Sequence, residues 1–324
     1  MAEWQVAGHE GAVRLLQGMI RRERVAHAYV FAGPARCGKA TLAREFAKAL
    51  NCEEGMDGPC QVCGSCRRIA VGEDFDVSEI VVPEKRHRIQ IEQIREFHRR
   101  AALTAVGQKY KMGIVTQAEL MSEGATNAFL KTLEEPPPRT VIVLATPRLE
   151  MLPATVVSRC VVVRLGPVAR EDLRELVRSR GELGEEDAVM IEEYAEGMAG
   201  WAVEMAEDEA RFEEFKKELK EWESVLNGGA IERVRLVEKL APDRVAAQEA
   251  VNMLARYYAV LARQRWDAAA GGTGDNGPTA REAERWVENM ACIQRALWAL
   301  GANTMVRPTL AELLISVRAP GSVA

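Results

Sequence analysis

An apolar pentapeptide, Ala28-Tyr29-Val30-Phe31-Ala32, runs directly into Gly33-Pro34-Ala35-Arg36-Cys37-Gly38-Lys39-Ala40-Thr41 and then into a helical run from Leu42 to Leu50. A strand, a glycine-bearing loop and a helix in that order restrict the choice of fold. Such glycines let backbone N–H groups close around phosphate oxygens, and the helix N-terminus adds partial positive charge. In this setting the segment reads as a phosphate-binding loop, shaped by Gly33 and Gly38, with Lys39 placed to neutralise phosphate. The next position should be Ser or Thr, whose hydroxyl binds Mg²⁺, but it is Ala40. Thr41 comes one residue late, about 100° further round the helix.

A second apolar strand, Met112-Gly113-Ile114-Val115, leads to Thr116-Gln117-Ala118-Glu119. In a phosphate-loop protein such a strand ordinarily ends in two adjacent acids, which order the metal-bound water and orient the attacking water. Thr116 and Gln117 are neutral and can neither hold Mg²⁺ by charge nor act as a base near pH 7. Glu119 is expected to be displaced along the chain and directed elsewhere. The chain therefore reads as an ATPase-like domain that does not turn over. Lys39 and the glycines keep the parts needed to hold ATP or ADP passively; the other reading of Lys39 is a helix-start residue that binds sulfate, phosphate or nothing.

Of seven cysteines, four are clustered: Cys52, Cys60, Cys63 and Cys66, in NCEEGMDGPCQVCGSC. This spacing turns successive thiolates towards one centre, and Gly58, Pro59 and Gly64 supply the bends. Four sulfurs suit a closed, structural zinc site with no position left for water. An iron–sulfur run would want a further cysteine soon after Cys66, and Arg67-Arg68-Ile69-Ala70 has none. Disulfides do not suit a reducing compartment. Cys37, Cys160 and Cys292 read as packing residues.

The 324 residues are 48 % apolar and 28 % charged, with a formal net charge of −5. That is ordinary for a globular protein and argues against a surface given over wholly to nucleic acid. No run reaches the roughly 20 apolar residues of a membrane span, and no signal segment opens the chain, so a cytoplasmic protein is expected.

Strand and helix alternate up to about residue 166. Helical periods cover Gln5–Arg22, Ile91–Ala102 and Ser122–Glu135; short β-branched strands fall at Tyr29–Ala32, Val77–Val82, Gly113–Thr116, Val141–Ala145 and Val161–Leu165. Ser122 can cap its helix, and Pro136-Pro137-Pro138 ends it. This predicts an α/β, doubly wound parallel sheet around the phosphate loop, with a zinc module at about residues 50–70. Residues 167–207 read as a small helical unit with a turn at Gly181-Glu182-Leu183-Gly184. Residues 208–324 read as all-helical, interrupted by a stretch from Asp267 to Pro278 that is flexible by composition.

The residues His27-Ala28-Tyr29, the phosphate loop, the four-cysteine insert, Asn127-Ala128-Phe129-Leu130-Lys131-Thr132-Leu133-Glu134-Glu135-Pro136-Pro137, Ala145-Thr146, Leu152-Pro153 and Ser158-Arg159-Cys160 occur in that order. Together they resemble the clamp-loader subunits of bacterial DNA polymerase III, of the AAA+ class. The match is strong from about Trp4 to Leu165. The resemblance implies an AAA+ domain over residues 1–166, a helical lid over 167–207 and a helical collar for oligomerisation over 208–324. It also implies a ring with tau/gamma and delta subunits that opens the sliding clamp and places it on primer–template DNA. The degenerate nucleotide site points to the delta-prime kind, the ring's rigid stator, rather than the ATP-hydrolysing tau/gamma kind, which remains the alternative. Arg159 would then reach in trans into a neighbour's ATP site. Where ATP-binding members carry a nucleotide-sensing arginine, this chain has Gly200-Trp201-Ala202-Val203. Lys85-Arg86-His87-Arg88 and Arg99-Arg100 could touch DNA phosphates or form a solvated basic face. His27, His87 and Ser158 have no sequence partner for catalysis.

Overall fold

The computed structural model describes residues 4–55, 58–83, 86–102, 110–180, 183–270, 279–302 and 304–318. Lys85 of the basic run, residues 181–182 of the expected turn and residues 271–278 of the glycine-rich stretch lie outside them. The chain divides into two compact units, Met1–Glu182 with Gly197–Val203, and Leu183–Glu196 with Glu204–Ala324.

The first unit opens with α1 (Glu10–Arg21), β1 (Ala28–Ala32), α2 (Lys39–Asn51), α3 (Gly64–Ala70) and β2 (Val77–Ile80). It continues with α4 (Ile91–Ala102), β3 (Lys111–Val115), α5 (Glu123–Glu134), β4 (Thr140–Thr146), α6 (Ala154–Val157), β5 (Val161–Arg164) and α7 (Arg170–Arg180). Helix α1 starts later than the expected Gln5 because Gly8 and His9 both take a left-handed φ of 63°, which a right-handed helix cannot continue. Ser122 Oγ accepts the Ala125 N–H at 3.2 Å and caps α5.

The five strands pair in parallel in the order β2-β3-β4-β1-β5. Every residue of β1 is buried. Tyr29 and Phe31 enter one core with Leu16, Leu42 and Phe46. Ala28 and Val30 enter the other with Ile94, Phe97, Ala125 and Phe129. A strand apolar on both faces needs a helical layer on each side, which is what the alternating helices supply. The loop after β1 therefore leaves from the carboxyl ends of the strands, where open α/β sheets bind ligands.

In the second unit lie α8 (Glu185–Ala195), the end of α9 (Ala199–Glu207), α10 (Glu209–Asn227), α11 (Ala230–Leu240), α12 (Arg244–Ala270), α13 (Ala280–Gly301) and α14 (Val306–Ser316). Its core is built from Phe212, Phe215 and Trp222 of α10, Leu254 and Tyr258 of α12, Ile293 of α13 and Leu313 of α14. Arg233 of α11 donates to the carbonyls of Val317 at 3.1 Å and Leu226 at 3.3 Å, satisfying acceptors at the ends of neighbouring helices. Asp267–Ala270, expected to be flexible, is the last turn of α12. No helix among the described residues is long and apolar enough to cross a membrane.

Candidate functional site

Gly33 and Gly38 are each required by geometry. A Cβ on Gly33 would stand 2.2 Å from the Leu165 carbonyl oxygen, and Gly38 begins α2 with φ at 101°. Lys39, directly after Gly38, is only 8 % exposed. Its ammonium is turned onto the loop itself, donating to the carbonyls of Gly33 at 2.8 Å and Pro34 at 2.5 Å, with Cys37 Sγ at 4.0 Å. Burial lowers the Lys39 pKa; Cys37 and Glu119 act in the opposite direction. Ala40 is half-buried, and Thr41 is exposed in the first turn of α2.

Two further residues, His9 and Gly200, close around this loop. His9 lies against it, its Nε2 2.7 Å from the Cys37 carbonyl oxygen. The Gly200 N–H, at the start of α9, donates to the Arg36 carbonyl at 2.8 Å. Neither contact is written in the local sequence: His9 falls inside the run expected to be helical, and Gly200 is far from the loop along the chain.

At the end of β3, Thr116 N–H donates to the Ile80 carbonyl at 3.1 Å, and Gln117 is exposed. Glu119 departs from expectation. Gln117 takes a left-handed φ of 53°, and a 3₁₀ turn over Ala118–Leu120 brings the chain back over the sheet end. There the Glu119 Oε2 accepts from the Thr146 hydroxyl at 2.9 Å, and its charge is felt at Lys39. The carboxylate faces the loop's end of the sheet instead of pointing away.

Arg159 sits between α6 and β5. Its Nη1 donates to the Thr155 carbonyl and its Nη2 to Glu134 Oε1, both at 2.9 Å. Val161, the first residue of β5, pairs with Tyr29. The phosphate loop starts at Gly33, four residues further along, so Arg159 lies at the amino ends of the parallel strands and the loop at their carboxyl ends. At about 3.3 Å per residue, even Val161 is about 13 Å from the loop along the strand direction. Arg159 cannot reach its own chain's phosphate loop.

Cys52, Cys60, Cys63 and Cys66 come together between α2 and α3, with their sulfurs all within 4.8 Å of one another. Four thiolates at about 2.3 Å from a tetrahedral ion stand about 3.8 Å apart, so this donor set can hold one metal after a small contraction. The Cys63 N–H points at Cys60 Sγ at 3.3 Å and the Cys66 N–H at Cys63 Sγ at 3.4 Å. The N–H groups of Val62 and Cys63 lower the Cys60 thiol to about 7, whereas burial raises those of Cys52 and Cys66.

The module is fastened to the phosphate-loop helix. Glu45 and Lys48, both buried on α2, pair at 2.7 Å. Gln61, in the left-handed turn between Cys60 and Cys63, gives its amide N–H to Glu45 Oε2 at 2.6 Å and takes the Lys48 ammonium on its oxygen at 2.9 Å. The Gln5 backbone N–H completes the group on Glu45 Oε2 at 3.1 Å. A buried ion pair needs such additional hydrogen bonds to offset its desolvation.

The fold and loop define a parallel-sheet protein with a phosphate-loop site at the carboxyl ends of its strands. The profile of the family described as DNA polymerase III, delta subunit, matches residues 8–169, half of the sequence, and the chain belongs to that family. It is 37 % identical over 156 residues to the DNA polymerase III subunit tau of Bacillus subtilis, covering 48 % of this chain and 27 % of that protein. To the subunit gamma of Buchnera aphidicola subsp. Schizaphis graminum it is 32 % identical over 209 residues, covering 63 % of this chain and 57 % of the relative. The chain thus spans from about a quarter to under three fifths of the length of these curated relatives. A solved DNA polymerase III, gamma subunit-related protein from Thermotoga maritima shares the fold, with a TM-score of 0.53 at 19 % identity, over 94 % of this chain and 98 % of that one.

Proposed function

We propose that the chain is a delta-prime-type, non-hydrolysing stator subunit of the DNA polymerase III clamp loader. In this reading residues 1–166 are an AAA+ ATPase-like domain, 167–207 a lid and 208–324 a collar that joins the ring. The partners are the tau/gamma and delta subunits, the sliding clamp and, through the assembly, primer–template DNA, in the cytoplasm. Arg159 supplies its guanidinium in trans to the ATP of a neighbouring subunit, and zinc held by Cys52, Cys60, Cys63 and Cys66 is structural.

The observation that carries this reading is the separation of Arg159 from its own phosphate loop by the depth of the sheet. An arginine at that end of the strands can serve nucleotide only across a subunit boundary. A guanidinium delivered in trans stabilises charge developing on a transferring phosphoryl group. Meanwhile Gly33, Gly38, Lys39 and Thr41 keep a loop whose lysine is occupied by the loop's own carbonyls. ATP or ADP bound there would be a passive ligand.

A second reading, an active tau/gamma-type ATPase, draws on the unexpected position of Glu119 and on the names of the relatives. Phosphate release by the isolated chain with Mg²⁺-ATP separates the two. The stator reading expects no turnover beyond that of Lys39→Ala; turnover that Lys39→Ala abolishes overturns it.

A further inference from the structure

We infer that Glu134 is the positioning residue of Arg159, an inference that rests on the trans role proposed above. Arg159 is a long side chain at the amino ends of the strands, 37 % exposed. Unrestrained, such a side chain spreads over many rotamers, nearly all of which aim the guanidinium away from any one point on a partner. Here it is held on two sides by two different elements. Nη1 is fixed to the Thr155 carbonyl of α6, the short helix just before it, and Nη2 to the carboxylate of Glu134, the last residue of α5. Two hydrogen bonds from separate nitrogens fix the plane of the guanidinium as well as its location.

The anchor is itself constrained. Phe129, Thr132 and Leu133 of α5 are buried, and Pro136-Pro137-Pro138 prevents the helix from continuing. Glu134 therefore stands at a fixed place beside Arg159, at the amino ends of the strands. Because it is 54 % exposed, its ion pair belongs to the class that adds little to folding stability. Its larger effect is on where the arginine points. The guanidinium carries five N–H donors; the two contacts above use one on each terminal nitrogen and leave three for phosphate oxygens of a neighbour.

The test is a double-mutant cycle in the reassembled ring, with Glu134→Ala, Arg159→Ala and the double variant in this chain and the ATP-hydrolysing partner subunits unaltered. Misplacing a catalytic group by about 1 Å costs on the order of 10²-fold, and partial loss of aim should lower kcat about ten-fold with the KM for ATP unchanged. On the Arg159→Ala background, Glu134→Ala should have no further effect, because nothing remains to position. Glu134→Gln keeps an acceptor and should recover most of the rate. In the isolated chain, ¹⁵N relaxation of the Arg159 side chain should show order lost in Glu134→Ala, at an unchanged melting temperature.

If Arg159→Ala lowers the rate but Glu134→Ala does not, or lowers it equally on both backgrounds, the positioning role is overturned and the trans role stands. A rate that rises in Glu134→Gln would mean the carboxylate restrains the arginine, which also overturns it. An unchanged rate in Arg159→Ala overturns both.

Discussion

Thr146, the last residue of β4, donates a hydrogen bond from its hydroxyl to the carboxylate of Glu119 at 2.9 Å. Thr146 is fully buried, so the pair is a fixed part of the sheet end beside the phosphate loop. The strand that lacks acids at Thr116 and Gln117 thus regains one carboxylate through a turn. That carboxylate is already engaged by a hydroxyl, and Lys39 by two carbonyls. The expected outcome is that the isolated wild-type chain, Glu119→Gln and Lys39→Ala release phosphate from Mg²⁺-ATP at the same background rate. A wild-type rate that drops in Glu119→Gln would make Glu119 a working base.

Metal analysis of chain purified without chelator should return about one zinc per molecule, as a closed four-thiolate site requires. Removing it should loosen the turn that carries Gln61 and, through Glu45, the Gln5 amide. Hydrogen exchange at Gln5 should then accelerate on chelation, while amides of β1 in the core stay protected. Equal protection at Gln5 with and without metal would contradict this link.

Gln61→Leu removes both contacts of the carboxamide with the buried Glu45–Lys48 pair. Leaving buried polar groups without a partner costs about 1–3 kcal/mol, which chemical denaturation of the metal-loaded protein would register. A change below a few tenths of a kcal/mol would mean that water replaces the amide without cost.

In metal-free protein Cys60 should be the first thiol to react with iodoacetamide. The thiolate is the nucleophile. With its thiol lowered to about 7, the rate should climb as pH rises through 7 and level off above it. Cys66, raised by burial, should lag well behind at every pH tested. Peptide mapping after a short pulse distinguishes the two.

Phe129 is fully buried against β1 and α4 residues in the second core layer. Phe129→Ala should lower stability by about 3–5 kcal/mol, the usual cost of a large cavity. Arg159→Ala, losing only an exposed ion pair and a carbonyl contact, should shift it by no more than about 1 kcal/mol. The contrast between the two in one denaturation series separates core from surface function.

What the sequence determined by itself was local. Period and β-branching located all five strands to within a residue or two, the run from Ile91 to Ala102 and the Ser122 cap, because burial on both faces and capping write themselves into neighbouring residues. The cysteine spacing likewise announced a four-sulfur cluster, since its ligands sit almost consecutively. Contacts between distant partners came from folding alone: Glu119 meeting Thr146, Gln61 closing over Glu45, His9 and Gly200 against the phosphate loop, and Arg159 held by Glu134 at the amino ends of the strands. Each of these joins residues from separate elements, and two of them depend on left-handed backbone at Gln117 or Gln61, which a non-glycine residue takes up only when the surrounding packing fixes it. No short-range pattern encodes such a contact, because its energy is realised only after the sheet has brought the two ends together.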